Sequence, residues 1–157
     1  MISPAEKAAK MLLERNATIA VAESCTGGLL AAAFTDVPGA SSFFKGGIVT
    51  YATETKIELL GVPAELIRRF GVVSAECAEA MARSVAEKFR TDFALSTTGL
   101  AGPGGGTPEI PVGTVFIGIF TPAETFSLHL KSTGTSRDDV RREAVSTALN
   151  AFLISPR

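Results

Sequence analysis

The chain contains a single histidine and two cysteines among its 157 residues. A serine or cysteine nucleophile is commonly activated by an imidazole, so any such mechanism in this chain would have to use His129. Cys25 and Cys77 are too few for a disulfide framework and far short of a zinc ligand set. A serine activated by a lysine remains possible with this composition, and it would carry out acyl transfer without a metal.

Long hydrophobic runs are also missing. The longest apolar stretches, near residues 29–34 and 115–120, are much shorter than the roughly 20 residues that cross a bilayer. The first fifteen residues carry acids and bases in an amphipathic pattern and lack the apolar region of a signal peptide. With 46% hydrophobic residues and a mean hydropathy of +0.29, the sequence predicts one domain over residues 1–157, located in the cytoplasm.

Clusters of positive charge are absent as well. The 15 basic and 16 acidic residues give a net charge of -1, and no basic cluster exceeds the pairs Arg68-Arg69 and Arg141-Arg142. Binding to long nucleic acids needs many phosphate contacts, so this distribution argues against it. A small anionic substrate, which needs only one or two arginines and some backbone N–H groups, remains compatible.

Strand and helix patterns alternate along the chain and end in a hairpin. The expected strands cover residues 18–22, 43–51, 93–97, 112–120 and 125–131, and the last two form an antiparallel hairpin. The expected helices cover residues 5–15, 29–36, 53–60, 64–70, 74–89 and 136–154, with Ser3, Ser74 and Ser136 at helix starts. This order predicts a three-layer α/β/α sandwich with a mixed sheet.

The glycine-rich segment at residues 97–106, TTGLAGPGGG, follows a predicted strand, where α/β proteins place ligand loops. No Lys-Ser/Thr pair follows the glycines as in a Walker motif, and nearby prolines block the helix that a Rossmann motif needs. Glycines let backbone N–H groups approach a phosphate or an oxyanion closely, and Thr97 and Thr98 add hydroxyls. A flexible surface loop is the alternative interpretation.

A second segment, Ser-Cys-Thr-Gly-Gly at residues 24–28, lies between a strand and a helix. Hydroxyl and free N–H groups there would hold an anion or polarise a carbonyl. Ser24 or Thr26 could instead simply cap the helix. Capping alone does not explain Gly27 and Gly28, since each glycine weakens a helix start by about 1 kcal/mol relative to alanine.

The first candidate nucleophile is Ser41 or Ser42, with Lys56 as its base. A lysine accepts a proton only when it is neutral, so the pKa of Lys56 would have to fall far below the ordinary value of about 10.4 through burial or a nearby cation. Tyr51, the only tyrosine, would relay a proton or hold Lys56 in place. The alternative is that Lys56 is an ordinary solvated lysine on a short helix.

Other residues offer further roles. Cys25 at a helix start is the second candidate nucleophile, although buried structural cysteines are more common. His129 alternates with leucines in the predicted hairpin, which favours a half-buried strand residue over a catalytic one. Arg137 and Arg141 share one face of the last helix and would clamp a phosphate or a carboxylate, or else pair with neighbouring acids.

Several motifs together resemble one family. They are AESCTGG at residues 22–28, GASSFFKGGIVTYATETK at 39–56, GVVS at 71–74, TTGLAGPGGG with PVGTV between 97 and 115, and the final SRDDVRREA. In this order they resemble the CinA C-terminal domain family, the nicotinamide-nucleotide amidohydrolases or NMN deamidases. The resemblance covers nearly the whole chain, and it leads us to expect the stand-alone form, without the molybdopterin-binding-like domain that precedes this one in many members.

The resemblance implies hydrolysis of the carboxamide of nicotinamide mononucleotide (NMN) to nicotinate mononucleotide and ammonia, without a cofactor or metal. Ser41 would be the nucleophile, Lys56 with Tyr51 would take its proton, and backbone N–H groups around Ser41 or in AESCTGG would stabilise the oxyanion. Ser42 remains open as an alternative nucleophile. The expected substrate-binding residues are Ser24, Thr26, Gly27, Thr98, Gly99, Gly102, Arg137 and Arg141.

Two other classes of function stay open at this point. One is a non-catalytic module that binds a pyridine nucleotide, and the other is a competence-related or DNA-damage-related partner protein. The near-neutral charge argues against direct contact with nucleic acid, and nothing in the sequence indicates membrane binding. The predicted hairpin and glycine loop, with the family, lead us to expect a homodimer or a higher homo-oligomer.

Overall fold

The computed structural model describes residues 1–156 and contains a five-stranded sheet with helices on both faces. The strands are β1 (Ile19–Glu23), β2 (Phe44–Val49), β3 (Phe93–Gly99), β4 (Thr114–Phe120) and β5 (Thr125–Lys131). The helices are α1 (Pro4–Glu14), α2 (Leu29–Thr35), α3 (Thr53–Glu58), α4 (Ala64–Phe70), α5 (Ala75–Phe89) and α6 (Arg137–Ile154), and a short 3₁₀ helix covers Ala40–Ser42. No helix within this part of the chain is long and apolar enough to cross a membrane.

The sheet has the strand order β2-β1-β3-β4-β5. The first three of these strands are parallel, and β4 and β5 continue the sheet as an antiparallel hairpin. The predicted three-layer α/β/α sandwich with a mixed sheet is therefore confirmed, and so is the predicted hairpin.

Ser3, Ser74 and Ser136 are the N-caps of α1, α5 and α6, as predicted. The Ser3 and Ser136 hydroxyls accept hydrogen bonds from the N–H groups of Glu6 and Asp139, whose carboxylates accept in return from the serine N–H groups. The Ser74 hydroxyl accepts from the Cys77 N–H at the start of α5. Such caps satisfy backbone donors that the first helical turn leaves unpaired.

The two faces of the sheet carry side chains of different size. On β1, Ile19 and Val21 face the core with α1, α2 and α6, whereas Ala20 and Ala22 face α5. Small residues let α5 lie close to the sheet, and a Cβ added at Gly118 would lie 2.2 Å from the carbonyl oxygen of Ala78 on α5. This close packing fixes the position of α5 and of the segment that leads into it.

The parallel strands end along one edge of the sheet. Glu23, the last residue of β1, is in register with Val49 of β2 and Thr97 of β3. The segments that follow these strands therefore meet at this edge, as expected for ligand sites in α/β proteins. The start of β2 lies at the opposite edge, where the Ile19 N–H donates to the Phe43 carbonyl.

Candidate active site

Lys56 is the central feature of the site at the carboxyl edge of the sheet. It lies on α3, its exposed fraction is 1%, and its Nζ donates to Ser24 Oγ at 3.1 Å and to the Thr50 carbonyl at 2.6 Å. No carboxylate within residues 1–156 forms an ion pair with this amine. Burial lowers the pKa of Lys56, and the thiols of Cys77 and Cys25 oppose that shift only in part. Burial thus favours the neutral form of the amine, which is the form that accepts a proton.

Ser24 is the hydroxyl that Lys56 contacts. The residue follows β1 directly, its exposed fraction is 8%, and its N–H donates to the Thr97 carbonyl at 3.0 Å. The backbone of Ser24 is thus held by β3 while its side chain lines a cavity. A hydroxyl fixed beside a buried amine at hydrogen-bonding distance is the geometry that a serine–lysine nucleophile needs.

The predicted pairing of Ser41 with Lys56 is not what the structure contains. Ser41 and Ser42 are exposed on the 3₁₀ helix before β2, whereas Lys56 follows the end of that strand. The full length of β2 separates them, at about 3.3 Å per residue, and neither serine lines the cavity. Ser24, predicted to bind substrate, takes the place expected of Ser41 beside Lys56.

A buried carboxylate supports the segment of residues 24–28, which we call the catalytic loop. Glu23 Oε1 accepts from the Thr26 hydroxyl at 2.6 Å and from the Leu30 N–H at 2.9 Å, and Oε2 accepts from the Ala31 N–H at 3.0 Å. The Thr26 and Thr97 hydroxyls are also hydrogen-bonded to each other at 2.7 Å. Sequence reasoning missed Glu23, although an acidic residue at the end of an apolar strand was a usable signal.

The second support of the catalytic loop is Arg141 on α6. Its Nε donates to the Cys25 carbonyl and its Nη2 to the Thr26 carbonyl, both at 3.0 Å. Arg141 does not line the cavity, and neither do Thr26 and Gly27. These three members of the predicted substrate-binding set therefore lie behind the cavity wall.

Arg137 and Tyr51 meet at the mouth of the cavity. Arg137 Nη2 donates to the Tyr51 hydroxyl at 2.7 Å, and Nη1 donates to the Gly102 carbonyl at 2.8 Å. Tyr51 is 60% exposed, and its hydrogen bond connects it to Arg137 rather than to Lys56. The two arginines that the sequence left equivalent thus have different positions, one facing the cavity and one behind the loop.

The cavity has a volume of about 290 Å³. Its lining consists of Ser24, Cys25, Tyr51, Lys56, Val72, Val73, Thr98, Gly99, Leu100, Ala101, Gly102, Gly104 and Arg137. The Thr98 hydroxyl donates to the Val72 carbonyl at 2.7 Å, which ties the segment before α5 to the end of β3. Polar groups therefore lie at one wall and at the mouth, and aliphatic side chains from two loops form the remaining walls.

The other candidate nucleophiles are poorly suited to the role. Burial raises the pKa of the Cys25 thiol to about 11, and it raises the pKa of Cys77 to about 11 as well. Both thiols are therefore protonated near neutral pH, and the thiolate is the reactive form. His129 lies on β5, where it is exposed and stacks on Phe116 at 4.5 Å between ring centroids, and it does not line the cavity.

The polar groups of the site do not form a metal site. Among residues 1–156, no group of three or more histidine, cysteine, aspartate or glutamate side chains is placed to hold a metal ion. The described residues at the cavity instead provide one amine, one guanidinium, hydroxyls and backbone amides. These are groups that transfer protons and bind anions.

Curated proteins similar to this chain carry CinA-related descriptions. A "CinA-like protein" of Dictyoglomus thermophilum is 48% identical over 142 residues, which cover 90% of this chain and 34% of that protein. A protein of the same description from Flavobacterium psychrophilum is 49% identical over 140 residues, covering 89% of this chain and 33% of that protein. The chain thus spans about a third of the length of these relatives.

Solved structures are similar over the whole fold. The competence/damage inducible protein CihA of Agrobacterium tumefaciens has a TM-score of 0.92 at 34% identity, covering 96% of this chain and 92% of that chain. A competence-damaged protein (CinA) superfamily protein of Escherichia coli has a TM-score of 0.91 at 29% identity, covering 96% and 87%. A family model described as the CinA C-terminal domain matches residues 2–155. On the strength of this match, the chain belongs to the CinA C-terminal domain family.

Proposed function

We propose that this chain is an amidohydrolase that converts nicotinamide mononucleotide to nicotinate mononucleotide and ammonia, with Ser24 as the nucleophile and Lys56 as its base. The hydrogen bond between Lys56 Nζ and Ser24 Oγ, made by an amine whose exposed fraction is 1%, carries this proposal. Family membership supports it, since the sequence motifs resemble those of NMN deamidases.

The chemistry begins with neutral Lys56. Its amine lone pair takes the proton of Ser24 Oγ while the oxygen attacks the carboxamide carbon, and a tetrahedral intermediate with an oxyanion forms. Lys56 then gives this proton to the amide nitrogen, the C–N bond breaks, and ammonia leaves. Water next attacks the nicotinoyl ester with Lys56 again as base, which releases the carboxylic acid and restores the Ser24 hydroxyl.

The Thr50 carbonyl holds the amine during these steps. In the structure the amine donates to both Thr50 and Ser24. A neutral amine has two N–H groups and one lone pair, so in the reactive form one N–H still donates to Thr50 while the lone pair accepts the proton of the Ser24 hydroxyl. The ammonium that forms on proton transfer keeps its Thr50 hydrogen bond and is stabilised by the adjacent oxyanion. The base therefore stays in position through both half-reactions.

The shape of the cavity favours a flat aromatic amide with an anionic tail. Val72, Val73 and Leu100 offer apolar walls for a pyridine ring near Ser24. Arg137, hydrogen-bonded to Tyr51 and Gly102 at the mouth, offers a guanidinium for a phosphate. Arginine binds phosphate with two parallel hydrogen bonds, which provides orientation as well as affinity.

An ammonia-release assay on a nucleophile variant, a base variant and a control variant tests the proposal. We expect Ser24→Ala to release no ammonia from NMN above background and Lys56→Met to lose at least about 1,000-fold in kcat, because each removes a group that acts in every turnover. Ser41→Ala is the matched control, since it removes an exposed hydroxyl at the opposite edge of the sheet. Its activity should stay within about twofold of the parent chain.

Three outcomes would contradict the proposal. Undiminished ammonia release by Ser24→Ala, or its loss in Ser41→Ala, would show that Ser24 is not the nucleophile. Saturable NMN binding without any ammonia from the parent chain would favour the non-catalytic nucleotide-binding module.

A further inference from the structure

The carbonyl groups at the start of the catalytic loop are all occupied from within the protein. The Ser24 carbonyl accepts from the Gly27 N–H at 3.1 Å. The Cys25 carbonyl accepts from Arg141 Nε at 3.0 Å, and the Thr26 carbonyl accepts from Arg141 Nη2 at 3.0 Å. Arg141 thus determines the orientation of two successive peptide units.

This arrangement leaves the Cys25 N–H without an acceptor outside its own residue. In a trans peptide, the N–H points away from the C=O of the same unit. The Thr26 N–H shares a unit with the Cys25 carbonyl and points away from Arg141, and the Cys25 N–H shares a unit with the Ser24 carbonyl. The Thr26 N–H has no hydrogen-bond acceptor among the described residues. The Cys25 N–H contacts only the thiol of its own residue, and Cys25 lines the cavity beside Ser24.

Gly27 makes the approach of Arg141 possible. It has a φ of +56°, in the left-handed region, and a Cβ added there would lie 3.3 Å from Arg141 Nη2. A side chain at this position would therefore both strain the backbone and crowd the guanidinium. The positive charge behind the carbonyls also polarises the peptide units, which makes their N–H groups stronger donors.

We propose that Arg141 is a positioning residue that holds the catalytic loop so that the Cys25 N–H, in the cavity wall beside Ser24, receives the oxyanion formed on attack by Ser24. This inference rests on the proposed function, because it takes Ser24 to be the nucleophile. The N–H of the residue after the nucleophile has the same role in α/β-hydrolases. Arg141 acts through the loop and does not touch the substrate.

The kinetic test compares Arg141→Met and Arg141→Lys with Arg142→Met. Arg142 is the matched control, because its guanidinium pairs with Asp138 on the exposed surface of the same helix. We expect kcat for NMN to fall by about 100- to 1,000-fold in Arg141→Met, the range for loss of an oxyanion donor, while KM changes less than about twofold. The kcat of Arg141→Lys should lie between those of the parent and Arg141→Met, because a lysine ammonium replaces the two guanidinium donors with a single donor group.

Addition of millimolar guanidinium ion should restore part of the kcat of Arg141→Met by occupying the empty site. A loss of folding alone would give neither this recovery nor a selective change in kcat. An Arg141→Met variant that stays folded by circular dichroism and keeps its kcat would overturn the inference, and so would a KM change that accounts for the whole loss.

A fluorophosphonate probe separates this inference from the identity of the substrate. The probe phosphonylates an activated serine and needs donors for its P=O oxygen, but it does not resemble a pyridine nucleotide. We expect labelling of Ser24, located by mass spectrometry, to be at least about 10-fold slower in Arg141→Lys than in Arg142→Met. If Ser24 is labelled more slowly in Arg141→Lys than in Arg142→Met, but the parent chain does not hydrolyse NMN, the result would support the inference and contradict the proposed substrate. Equal labelling rates, or an unlabelled Ser24 in the parent chain, would overturn the inference.

Discussion

Replacing Glu23 by alanine would leave three hydrogen-bond donors without their acceptor. The carboxylate is 1% exposed and accepts from the Thr26 hydroxyl and from the N–H groups of Leu30 and Ala31. A buried donor that loses its partner costs about 1–3 kcal/mol. The Thr26 hydroxyl can still donate to the Thr97 hydroxyl. The two remaining N–H groups predict a loss of about 2–6 kcal/mol in the free energy of unfolding, a large part of the roughly 5–15 kcal/mol that holds a domain folded.

Glutamine at the same position should cost less. Its amide oxygen can still accept from Thr26 and Leu30, but its NH₂ group would face the Ala31 N–H, donor against donor. One lost hydrogen bond predicts a loss of about 1–3 kcal/mol. The order of stability is therefore parent, then Glu23→Gln, then Glu23→Ala.

Urea denaturation followed by circular dichroism measures these differences. With an m-value of about 2 kcal/mol per molar urea, a loss of about 2 kcal/mol lowers the midpoint by about 1 M. Glu124→Gln is the matched control, because Glu124 is an exposed carboxylate in the turn between β4 and β5, and it should stay within about 0.5 kcal/mol of the parent. A Glu23→Ala variant within about 1 kcal/mol of the parent would refute the role given to this carboxylate.

The remaining predictions concern activity. Because Lys56 acts in its neutral form and burial lowers its pKa, kcat/KM for NMN should rise with pH and level off at a pH below the ordinary lysine value of about 10.4. A pH–rate profile that still climbs tenfold per unit at about pH 10 would indicate a solvated lysine instead. Arg137→Ala should raise KM for NMN by about 10- to 100-fold, as expected for loss of a charge-assisted hydrogen bond worth about 1.5–3 kcal/mol, and should leave turnover of the riboside, which lacks the phosphate, nearly unchanged. Arg142→Ala is the control for that comparison, and equal effects of Arg137→Ala on both substrates would exclude Arg137 as the phosphate-binding residue.

The strands and helices of the fold could be predicted from local patterns in the sequence. Apolar runs at residues 18–22 and 93–97 predicted buried strands, and serines at positions 3, 74 and 136 predicted helix starts, because both signals act over a few neighbouring residues. The antiparallel hairpin after the glycine loop was likewise readable from its alternation and its short turn. These predictions agree with the structure, and the boundaries differ by a few residues.

Only part of the candidate site could be predicted from the sequence. Lys56, Tyr51, Thr98 and Arg137 were predicted and do line one cavity, because they follow strand ends, flank the glycine loop or begin the last helix. The nucleophile was predicted at Ser41, in the same sequence motif as Lys56, whereas in the structure the hydroxyl beside the Lys56 amine is that of Ser24, which we propose as the nucleophile. Fifteen positions along the chain take Ser41 to the far end of β2, whereas the parallel pairing of β1 with β2 brings Ser24 to Lys56.

Local sequence patterns were enough to predict which segments form strands and helices, and the composition gave little support to imidazole or thiolate chemistry. The folded chain was needed to identify the hydroxyl that contacts the Lys56 amine. It was also needed to show that Arg137 faces the cavity while Arg141, four residues later, holds the loop from behind. Strand propensity and helix capping depend on neighbouring residues, whereas strand order, burial of Lys56 and the contacts of Arg141 depend on residues far apart in the chain.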